Sequence, residues 1–286
     1  MRAFLFPGQG SQKKGMGAEL FEAYPMHVEI ADRVLGYSIK ELCLKNLEDK
    51  LNFTEYTQVA IFVVNALTYL HYIETKKLEP DFVAGHSLGE YNALLAAKVF
   101  DFETGLKLVH MRGQLMGKVS GGGMAAVLGF SGEHVEAICR EYPLLSISVA
   151  NYNTNIQTII VGERENIMKS RDIFTALGGV KFLPLNVSGA FHSSYMMLPK
   201  IEFEKYISQF ELKKPQIPII SNLTAREYKG DTLSSYLVDQ IDSPVRWNDT
   251  VKYLLDKGVQ HFIELGQSTM LTRMIESIRE NYAPTK

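Results

Sequence analysis

Apolar residues follow two alternating patterns along roughly the first 120 residues of the chain. Short continuous apolar runs, each ended by glycine or proline, predict buried strands. Between them, apolar side chains spaced three and four residues apart predict helices with one buried face. The strands are predicted at residues 3–6 and 81–84, and the helices at residues 58–78, 88–99 and 103–119. This alternation predicts an α/β fold around a mostly parallel sheet.

A different order of elements begins after the triple glycine at residues 121–123. The pattern there predicts a strand, a helix, two strands, a helix and a strand, which is the order of a ferredoxin-like domain. These elements are predicted at residues 124–130, 132–141, 145–150, 157–161, 164–177 and 180–185. We therefore predict a small inserted domain at residues 124–189, with the triple glycine as the hinge that leads into it.

The α/β pattern resumes after Asn186 and continues toward the C-terminus. Helices are predicted at residues 194–209, 232–241, 247–257 and 270–281, and strands at residues 217–220 and 262–265. The large domain is therefore predicted to be discontinuous, covering residues 1–123 and 190–286.

Composition narrows the class of protein without indicating its chemistry. The chain has 286 residues, 30 of them basic and 32 acidic, and a net charge of −2, which argues against a nucleic-acid-binding protein. The two cysteines, Cys43 and Cys139, exclude a disulfide-built scaffold, and their surroundings predict no zinc site. Because the apolar runs are too short to span a bilayer and no signal-peptide pattern is present, we expect a cytoplasmic protein with no membrane role.

The sequence GHSLG at residues 85–89 fits the G-x-S-x-G pattern of a nucleophile elbow. A predicted strand precedes it and a predicted helix follows, so Ser87 would occupy a tight turn at a helix N-terminus, where the backbone favours negative charge. Serine also caps helices in many proteins, and that simpler role for Ser87 stays open on the pattern alone.

A serine nucleophile needs a base, and the chain offers seven histidines. His86 is too close to Ser87 in a tight turn to point toward it, and we expect this residue among the substrate-binding groups instead. His192 lies among small residues where the inserted domain returns to the large one, which suits a loop held close to a site. Most of the other histidines lie on or beside predicted helices and strands without a polar neighbourhood.

The sequence FPGQGSQ at residues 6–12 begins at the end of the first predicted strand and continues as a loop, in which glycines lie on both sides of Gln9. That arrangement leaves the Gln9 N–H free to bind an anion, and an oxyanion hole needs two such donors. The N–H of Leu88, directly after the nucleophile, would be the other. An ordinary glycine turn explains the same residues.

Five motifs in a fixed order resemble the malonyl-CoA:acyl-carrier-protein transacylases, and the resemblance covers nearly the whole chain. They are FPGQGSQ at 6–12, GHSLGE at 85–90, MRGQLM at 111–116, GAFHS at 189–193 and SPVRW at 243–247. The form of GAFHS and the sequence of residues 56–69 are more similar to the trans-acting acyltransferases of polyketide synthesis. The resemblance implies an α/β-hydrolase-like large domain with an inserted ferredoxin-like small domain.

The resemblance also implies roles for individual residues. Ser87 matches the family nucleophile, His192 its base, and Gln9 and Leu88 the oxyanion-hole donors. Arg112 matches the arginine that pairs with the free carboxylate of the malonyl group, a contact for which its planar fork is suited.

Two further matches concern orientation and selectivity. Gln240 matches the residue whose backbone carbonyl orients the histidine, and it falls at the end of a predicted helix, where carbonyls lack helical partners. Phe191 resembles the malonyl-type form of its motif, in which a bulky ring leaves little room for an α-methyl branch.

The implied activity is transfer of malonyl from coenzyme A to the phosphopantetheine thiol of an acyl carrier protein through a Ser87 ester, without a metal or redox cofactor. Carrier proteins are usually acidic, so Lys13, Lys14 and Lys181 are candidate docking residues, although solvated surface lysines explain them equally well. A monomer is expected.

Three alternatives stay open on the sequence. The first is an editing hydrolase of the same fold, against which Arg112 argues. The second is an inactive docking module for carrier proteins, against which the intact site residues argue. The third is a transacylase of fatty acid rather than polyketide synthesis.

Overall fold

The structure is a computed structural model that describes residues 1–187, 189–229 and 232–283. The six other positions, Ser188, Gly230, Asp231 and residues 284–286, belong to the predicted domain ranges and lie outside the described residues.

Eight strands and twelve α-helices form the described part of the chain. The strands are β1 (Arg2–Phe6), β2 (Phe82–Gly85), β3 (Gly122–Leu128), β4 (Ser148–Thr154), β5 (Gln157–Glu163), β6 (Lys181–Pro184), β7 (Ile219–Ile220) and β8 (His261–Glu264). The helices are α1 (Ala18–Ala23), α2 (Pro25–Leu35), α3 (Ile39–Lys45), α4 (Thr54–Lys76), α5 (Gly89–Ala96), α6 (Phe102–Gly117), α7 (Gly132–Glu141), α8 (Arg164–Ala176), α9 (Met197–Ile207), α10 (Leu233–Asp239), α11 (Trp247–Asp256) and α12 (Met270–Glu280).

The first sheet is parallel throughout and has the strand order β7-β2-β1-β8. Side chains of β1 alternate between two cores: Phe4 and Phe6 join the large core that contains α4, while Ala3 and Leu5 face the core around Trp247. A sheet buried on both faces explains why its strands read as continuous apolar runs. The predicted α/β class is thereby confirmed.

The second sheet is antiparallel, has the order β4-β5-β3-β6, and contains the predicted β-α-β-β-α-β succession. Ala125 and Val127 of β3 point into its own core, whereas Met124 and Ala126 join the large core. One face of this sheet therefore packs against the rest of the molecule. Its first strand begins at Gly122, two residues before the predicted domain boundary, which stays a prediction.

The start of the second sheet lies against the segment that leaves it. A Cβ atom on Gly122 would lie 2.2 Å from the backbone nitrogen of Ala190, so glycine allows the close approach. Two of the three glycines predicted as a hinge are thus residues of β3, and Gly121 alone has a positive φ, 82°. This contact places the chain just before His192 beside the start of β3.

Helices α1, α2 and α3 have no counterpart in the sequence prediction. They are short, with 6, 11 and 7 residues, and α1 and α2 are separated only by Tyr24. Such short helices give too few turns for the apolar spacing to stand out. No helix among the described residues is long and apolar enough to cross a membrane.

Candidate active site

Ser87 lies in the tight turn between β2 and α5 with a positive φ of 51°. The glycines two residues to either side make this turn possible. A Cβ atom on Gly85 would lie 1.9 Å from the carbonyl carbon of Gly89, and one on Gly89 would lie 1.9 Å from the Phe6 carbonyl oxygen. The local sequence thus holds the serine in a strained turn at a helix N-terminus, as a nucleophile elbow requires.

His192 contacts the serine directly. Its Nε2 lies 2.7 Å from Ser87 Oγ, and its Nδ1 lies 2.8 Å from the backbone carbonyl oxygen of Gln240. A carbonyl can only accept, so Nδ1 carries the proton and Nε2 is left to accept the serine hydroxyl. Gln240 caps the C-terminus of α10, where its carbonyl has no helical partner.

The surroundings of His192 keep its ring neutral. Burial, and next the positive charge of Arg112, lower the pKa of His192 to about 3, although the contact with Gln240 opposes this shift. The imidazole is therefore unprotonated near neutral pH and can take a proton from Ser87.

Arg112 is buried in α6 and faces the serine. Its guanidinium donates to Gln58 Oε1 at 2.6 Å, to Gln240 Oε1 at 2.8 Å and to Ser87 Oγ at 3.2 Å. Within the described ranges, no carboxylate oxygen lies within 4 Å of it. The cation is thus held by neutral oxygens, and a ligand carboxylate would supply the bidentate partner that suits it.

Gln9 and Leu88 lie on facing segments beside the serine. Gly8 packs so closely on the elbow that a Cβ atom there would lie 2.3 Å from the His86 carbonyl oxygen and 3.5 Å from the Leu88 nitrogen. The Gln9 side chain is turned aside, where its Oε1 accepts from Thr54 at 2.7 Å. Both Gln9 and Leu88 line the cavity at Ser87, which fits two backbone donors for an oxyanion.

His86 is buried and engaged elsewhere than at the serine hydroxyl. Its Nε2 lies 2.9 Å from Asn153 Oδ1 of β4, and its ring meets Trp247 edge-on at 5.5 Å between centroids. Burial, the first cause, lowers its pKa. His86 therefore ties the elbow to the second sheet, and like Phe191 it also lines the cavity.

A cavity of about 340 Å³ lies above Ser87 and between the two sheets. Its floor is polar, because Ser87, His192, Arg112 and Gln58 lie there. Its walls are apolar and come from both parts of the chain: Met116, Met124, Ala126, Ile159, Met270 and Met274. The site can thus hold a small group with a negative end at Arg112 and admit a longer, uncharged arm.

Three residues of this site were not found from the sequence: Gln58, Glu90 and Asn222. Asn222 Oδ1 accepts from the Ser87 N–H at 2.6 Å, and its Nδ2 donates to the Gly85 carbonyl oxygen at 2.6 Å. Glu90 is completely buried, and burial raises its pKa to about 7. A glutamate among the apolar residues of α5 was the one available signal, since a carboxylate is rarely buried without a function or a partner.

The lysines considered for docking are exposed. Lys13 and Lys14 follow Gln12, which lines the cavity, and Lys181 is the first residue of β6. Their part in binding a partner stays a prediction.

Comparison with known proteins shows which family this chain matches. The family model described as acyl transferase domain matches residues 3–285. The chain is 49% identical to the polyketide biosynthesis malonyl CoA-acyl carrier protein transacylase PksC of Bacillus subtilis, over 98% of both chains. It is 50% identical to the polyketide biosynthesis protein PksE of the same organism over 99% of its own length, and it spans 37% of that longer protein. Identity to the malonyl CoA-acyl carrier protein transacylase of Staphylococcus aureus is 38%, over 98% of this chain and 92% of that one.

Solved structures agree with the fold described above. A crystal structure of malonyl CoA-acyl carrier protein transacylase from Burkholderia pseudomallei has a TM-score of 0.96 to this chain at 45% identity, covering 99% of each chain. A malonyl-transacylase in complex with its type II polyketide synthase acyl-carrier protein has a TM-score of 0.93 at 33% identity, covering 98% of this chain and 93% of that one. The predicted fold class is confirmed by both.

Proposed function

This chain belongs to the acyl transferase domain family, and from that premise we propose that it transfers malonyl from coenzyme A to the phosphopantetheine thiol of an acyl carrier protein. The observation that carries the proposal is the pair of contacts at Ser87 Oγ. A neutral base, His192, lies on one side, and a buried cation that donates to neutral oxygens, Arg112, lies on the other.

Acylation begins when Ser87 attacks the thioester carbonyl and His192 Nε2 takes the hydroxyl proton. The negative charge that develops on the carbonyl oxygen is stabilised by the N–H groups of Gln9 and Leu88. The carbon–sulfur bond then breaks, the proton on His192 passes to the leaving sulfur, and coenzyme A departs. Malonyl remains as an ester on Ser87.

Transfer reverses these steps with a different thiol. The pantetheine arm of the carrier protein enters the apolar cavity, and His192 takes the proton of its thiol. The sulfur attacks the ester, the carbon–oxygen bond to Ser87 breaks, and the proton returns to the serine oxygen. The malonyl thioester of the carrier protein is released, which makes the reaction ping-pong.

Arg112 supports malonyl as the group transferred. The malonyl carboxylate can accept two N–H bonds from the guanidinium, whereas an acetyl group offers no acceptor at that end. A site that is built to bind a charged group rejects the analogue that lacks it, because its own buried polar groups stay unpaired.

A labelling experiment tests the proposal. The protein is incubated with radiolabelled malonyl-CoA, with and without a holo carrier protein, and label is followed on Ser87, on the carrier and as free malonate. We expect a stable ester on Ser87 that the carrier protein discharges, and no ester in the Ser87→Ala variant. Rapid release of malonate without carrier would indicate a hydrolase, and absence of any label would indicate a docking module.

Polyketide synthesis is the pathway we propose. Two polyketide biosynthesis proteins, PksE and PksC, are 50% and 49% identical to this chain, against 38% for the Staphylococcus aureus transacylase. Transfer rates to a carrier protein of polyketide synthesis and to one of fatty acid synthesis, compared at equal concentration, test this assignment. Faster transfer to the polyketide carrier is the expected outcome.

We also propose that the reaction needs no metal or redox cofactor. Thioester exchange requires a nucleophile, a base and oxyanion donors, and residues of this chain can supply all three. Activity should therefore be unchanged after dialysis against a chelator.

The cytoplasm is the proposed location, because coenzyme A thioesters and carrier proteins meet there.

A further inference from the structure

Glu90 is a buried carboxylate whose every described hydrogen-bond partner is a donor. It lies in the first turn of α5, three residues after the nucleophile, and is 0% exposed. Its Oε1 accepts from the Asn222 N–H at 2.9 Å and from the Tyr228 hydroxyl at 2.8 Å. Its Oε2 accepts from Nε2 of Gln240. The backbone N–H and the amide nitrogen can only donate, so this position requires an acceptor at both of its oxygens.

The Gln240 side chain lies between Glu90 and Arg112. Its Nε2 donates to Glu90 and, at 3.0 Å, to the Ser87 carbonyl oxygen, and its Oε1 accepts from Arg112 at 2.8 Å. The opposite orientation of the amide would set its oxygen against the carboxylate and its nitrogen against the guanidinium. Glu90, together with the Ser87 carbonyl oxygen, thus favours the orientation in which the amide oxygen faces Arg112.

Arg112 depends on this amide for its own position. Gln58 and Gln240 are the two amide groups that accept from its guanidinium, and Ser87 Oγ is a more distant third acceptor at 3.2 Å. If the Gln240 oxygen turned away, the guanidinium would lose one of the two amide oxygens that accept from it.

We propose that Glu90 is a positioning residue for selectivity: by holding the Gln240 amide in one orientation it aims Arg112 at the carboxylate of the acyl group. The inference rests on the proposed function, since it concerns recognition of malonyl at the same site. Glu90 acts through Gln240 and does not touch the substrate.

The test is the Glu90→Gln variant with two donors, malonyl-CoA and acetyl-CoA. A glutamine at position 90 has one amide oxygen for three donors, so it no longer enforces the orientation of Gln240. We expect the ratio of malonyl to acetyl kcat/KM to fall by about tenfold to a hundredfold, since displacing a binding group by about 1 Å has effects of that size. Acetyl transfer should change much less. Equal loss on both donors would refute the proposal.

Tyr228→Phe is the matched control. It removes a donor to the same carboxylate but at Oε1, the oxygen that does not hold Gln240. We expect this variant to lower thermal stability and to leave the malonyl-to-acetyl ratio unchanged. If the ratio fell as far as in Glu90→Gln, disturbance of the buried network alone would explain the result, and the proposal would fail.

The double variant Glu90→Gln/Gln240→Ala shows whether Glu90 acts through Gln240. Gln240→Ala keeps the backbone carbonyl that contacts His192 and removes the amide. If Glu90 acts only through that amide, the double variant has the same donor ratio as Gln240→Ala alone. A further fall in the ratio would mean that Glu90 acts by another route and would overturn the inference.

Should Glu90→Gln fail to fold, the variant Glu90→Asp is the substitute. It keeps the carboxyl group on a side chain that is shorter by one methylene, and the same fall in the donor ratio is expected.

A measurement without substrate separates this inference from the proposed function. In ¹⁵N-labelled protein, the side-chain NH₂ signals of Gln240, assigned by their loss in Gln240→Ala, should exchange slowly with water and quickly in Glu90→Gln. Unchanged exchange would overturn the role of Glu90 even if malonyl is transferred. If the wild-type protein forms no malonyl ester, the proposed function fails, while slow exchange that depends on Glu90 still supports the geometry.

Discussion

Two side chains with opposite effects, those of His192 and Arg112, both form a hydrogen bond with Ser87 Oγ. His192 accepts its proton, while Arg112 donates to the same oxygen and stabilises negative charge there. The charge of Arg112 also lowers the pKa of His192 and so makes it a weaker base. A malonyl carboxylate bound to Arg112 would offset that charge, and His192 would then be more basic in the presence of its substrate than without it.

Replacing Arg112 with alanine should remove selectivity rather than all activity. We expect kcat/KM for malonyl-CoA to fall by about a hundredfold or more, as happens when a buried polar recognition pair is broken. Acetyl transfer should be kept or increased. Steady-state kinetics with both donors measure this, and an equal loss on both would contradict the carboxylate role.

The same variant should shift the pH profile. His192 acts as a base only when neutral, so activity falls as pH drops through its pKa, which is about 3 in the intact site. Without Arg112 one cause of the low pKa is removed, and the acid limb of kcat/KM should move to higher pH. Acetyl-CoA is the suitable donor, since its acyl group does not titrate. An acid limb at the same pH in both proteins would show that Arg112 does not act on His192.

Among the elements, the β2–α5 connection has the least tolerance for added atoms. The close approach of Gly89 to the Phe6 carbonyl oxygen brings α5 against β1, and this contact sets the elbow beside the loop that holds Gln9. The sequence predicts this feature well, because the G-x-S-x-G pattern is local and Gly85 is required by its near neighbours Gly89 and Glu90. The requirement for glycine at position 89 comes instead from the distant Phe6. The limits of α5 and β2 were accordingly predicted to within a few residues.

Gly89→Ala should destabilise the fold and abolish formation of the acyl-enzyme, because a methyl group 1.9 Å from a carbonyl oxygen forces α5 away from β1. Gly117→Ala is the matched control, since its Cβ atom would meet Thr54 at an ordinary 3.5 Å in a helix that alanine favours. Thermal unfolding and ester formation are measured for both. A stable, active Gly89→Ala protein would rule out the tight packing at the elbow.

The second sheet is joined to the later part of the chain by backbone contacts that no local pattern indicates. Val245 donates its N–H to the Ala150 carbonyl at 2.9 Å and accepts from the Tyr152 N–H at 2.9 Å. These bonds join β4 to the SPVRW segment, next to the contact between His86 and Asn153. Of the triple glycine predicted as a hinge, Gly122 and Gly123 are buried and pair with β5, whereas Gly121 is exposed.

On the scale of the whole molecule, the described apolar core is largely continuous across both sheets. Residues of β3 and β5 join the large core on one face and form a separate small core on the other. The cavity and the base lie along this shared face, so the position of His192 depends on the packing of the two parts together.

The reactivity of the two cysteines can be used to test how the two parts of the chain pack together. Burial raises the pKa of both thiols to about 12, and Cys43 lies in the large core while Cys139 lies in the small one. In the native protein both should resist alkylation near pH 8. As urea is raised, we expect both to become reactive over the same range, because the shared core couples the two parts. Labelling of Cys139 well before Cys43, seen by peptide mapping, would show that the small part opens alone.

The sequence by itself determined the features that depend on near neighbours. The tight turn at Ser87 and the glycine at position 85 follow from local sterics, and the alternation of elements follows from apolar periodicity. The motifs then implied the partners of Ser87, and the structure brings His192, Arg112 and Gln240 together around it.

Only the tertiary structure decided how those residues are held. Glu90 meets Gln240 across 150 positions of sequence, Arg112 meets the same amide across 128, and Asn222 meets Ser87 across 135. Contacts between such distant positions leave no trace in apolar spacing, because they depend on where the folded sheets place the ends of their strands and helices. The part of the Gln240 side-chain amide in holding Arg112 therefore became visible only when the chain was folded.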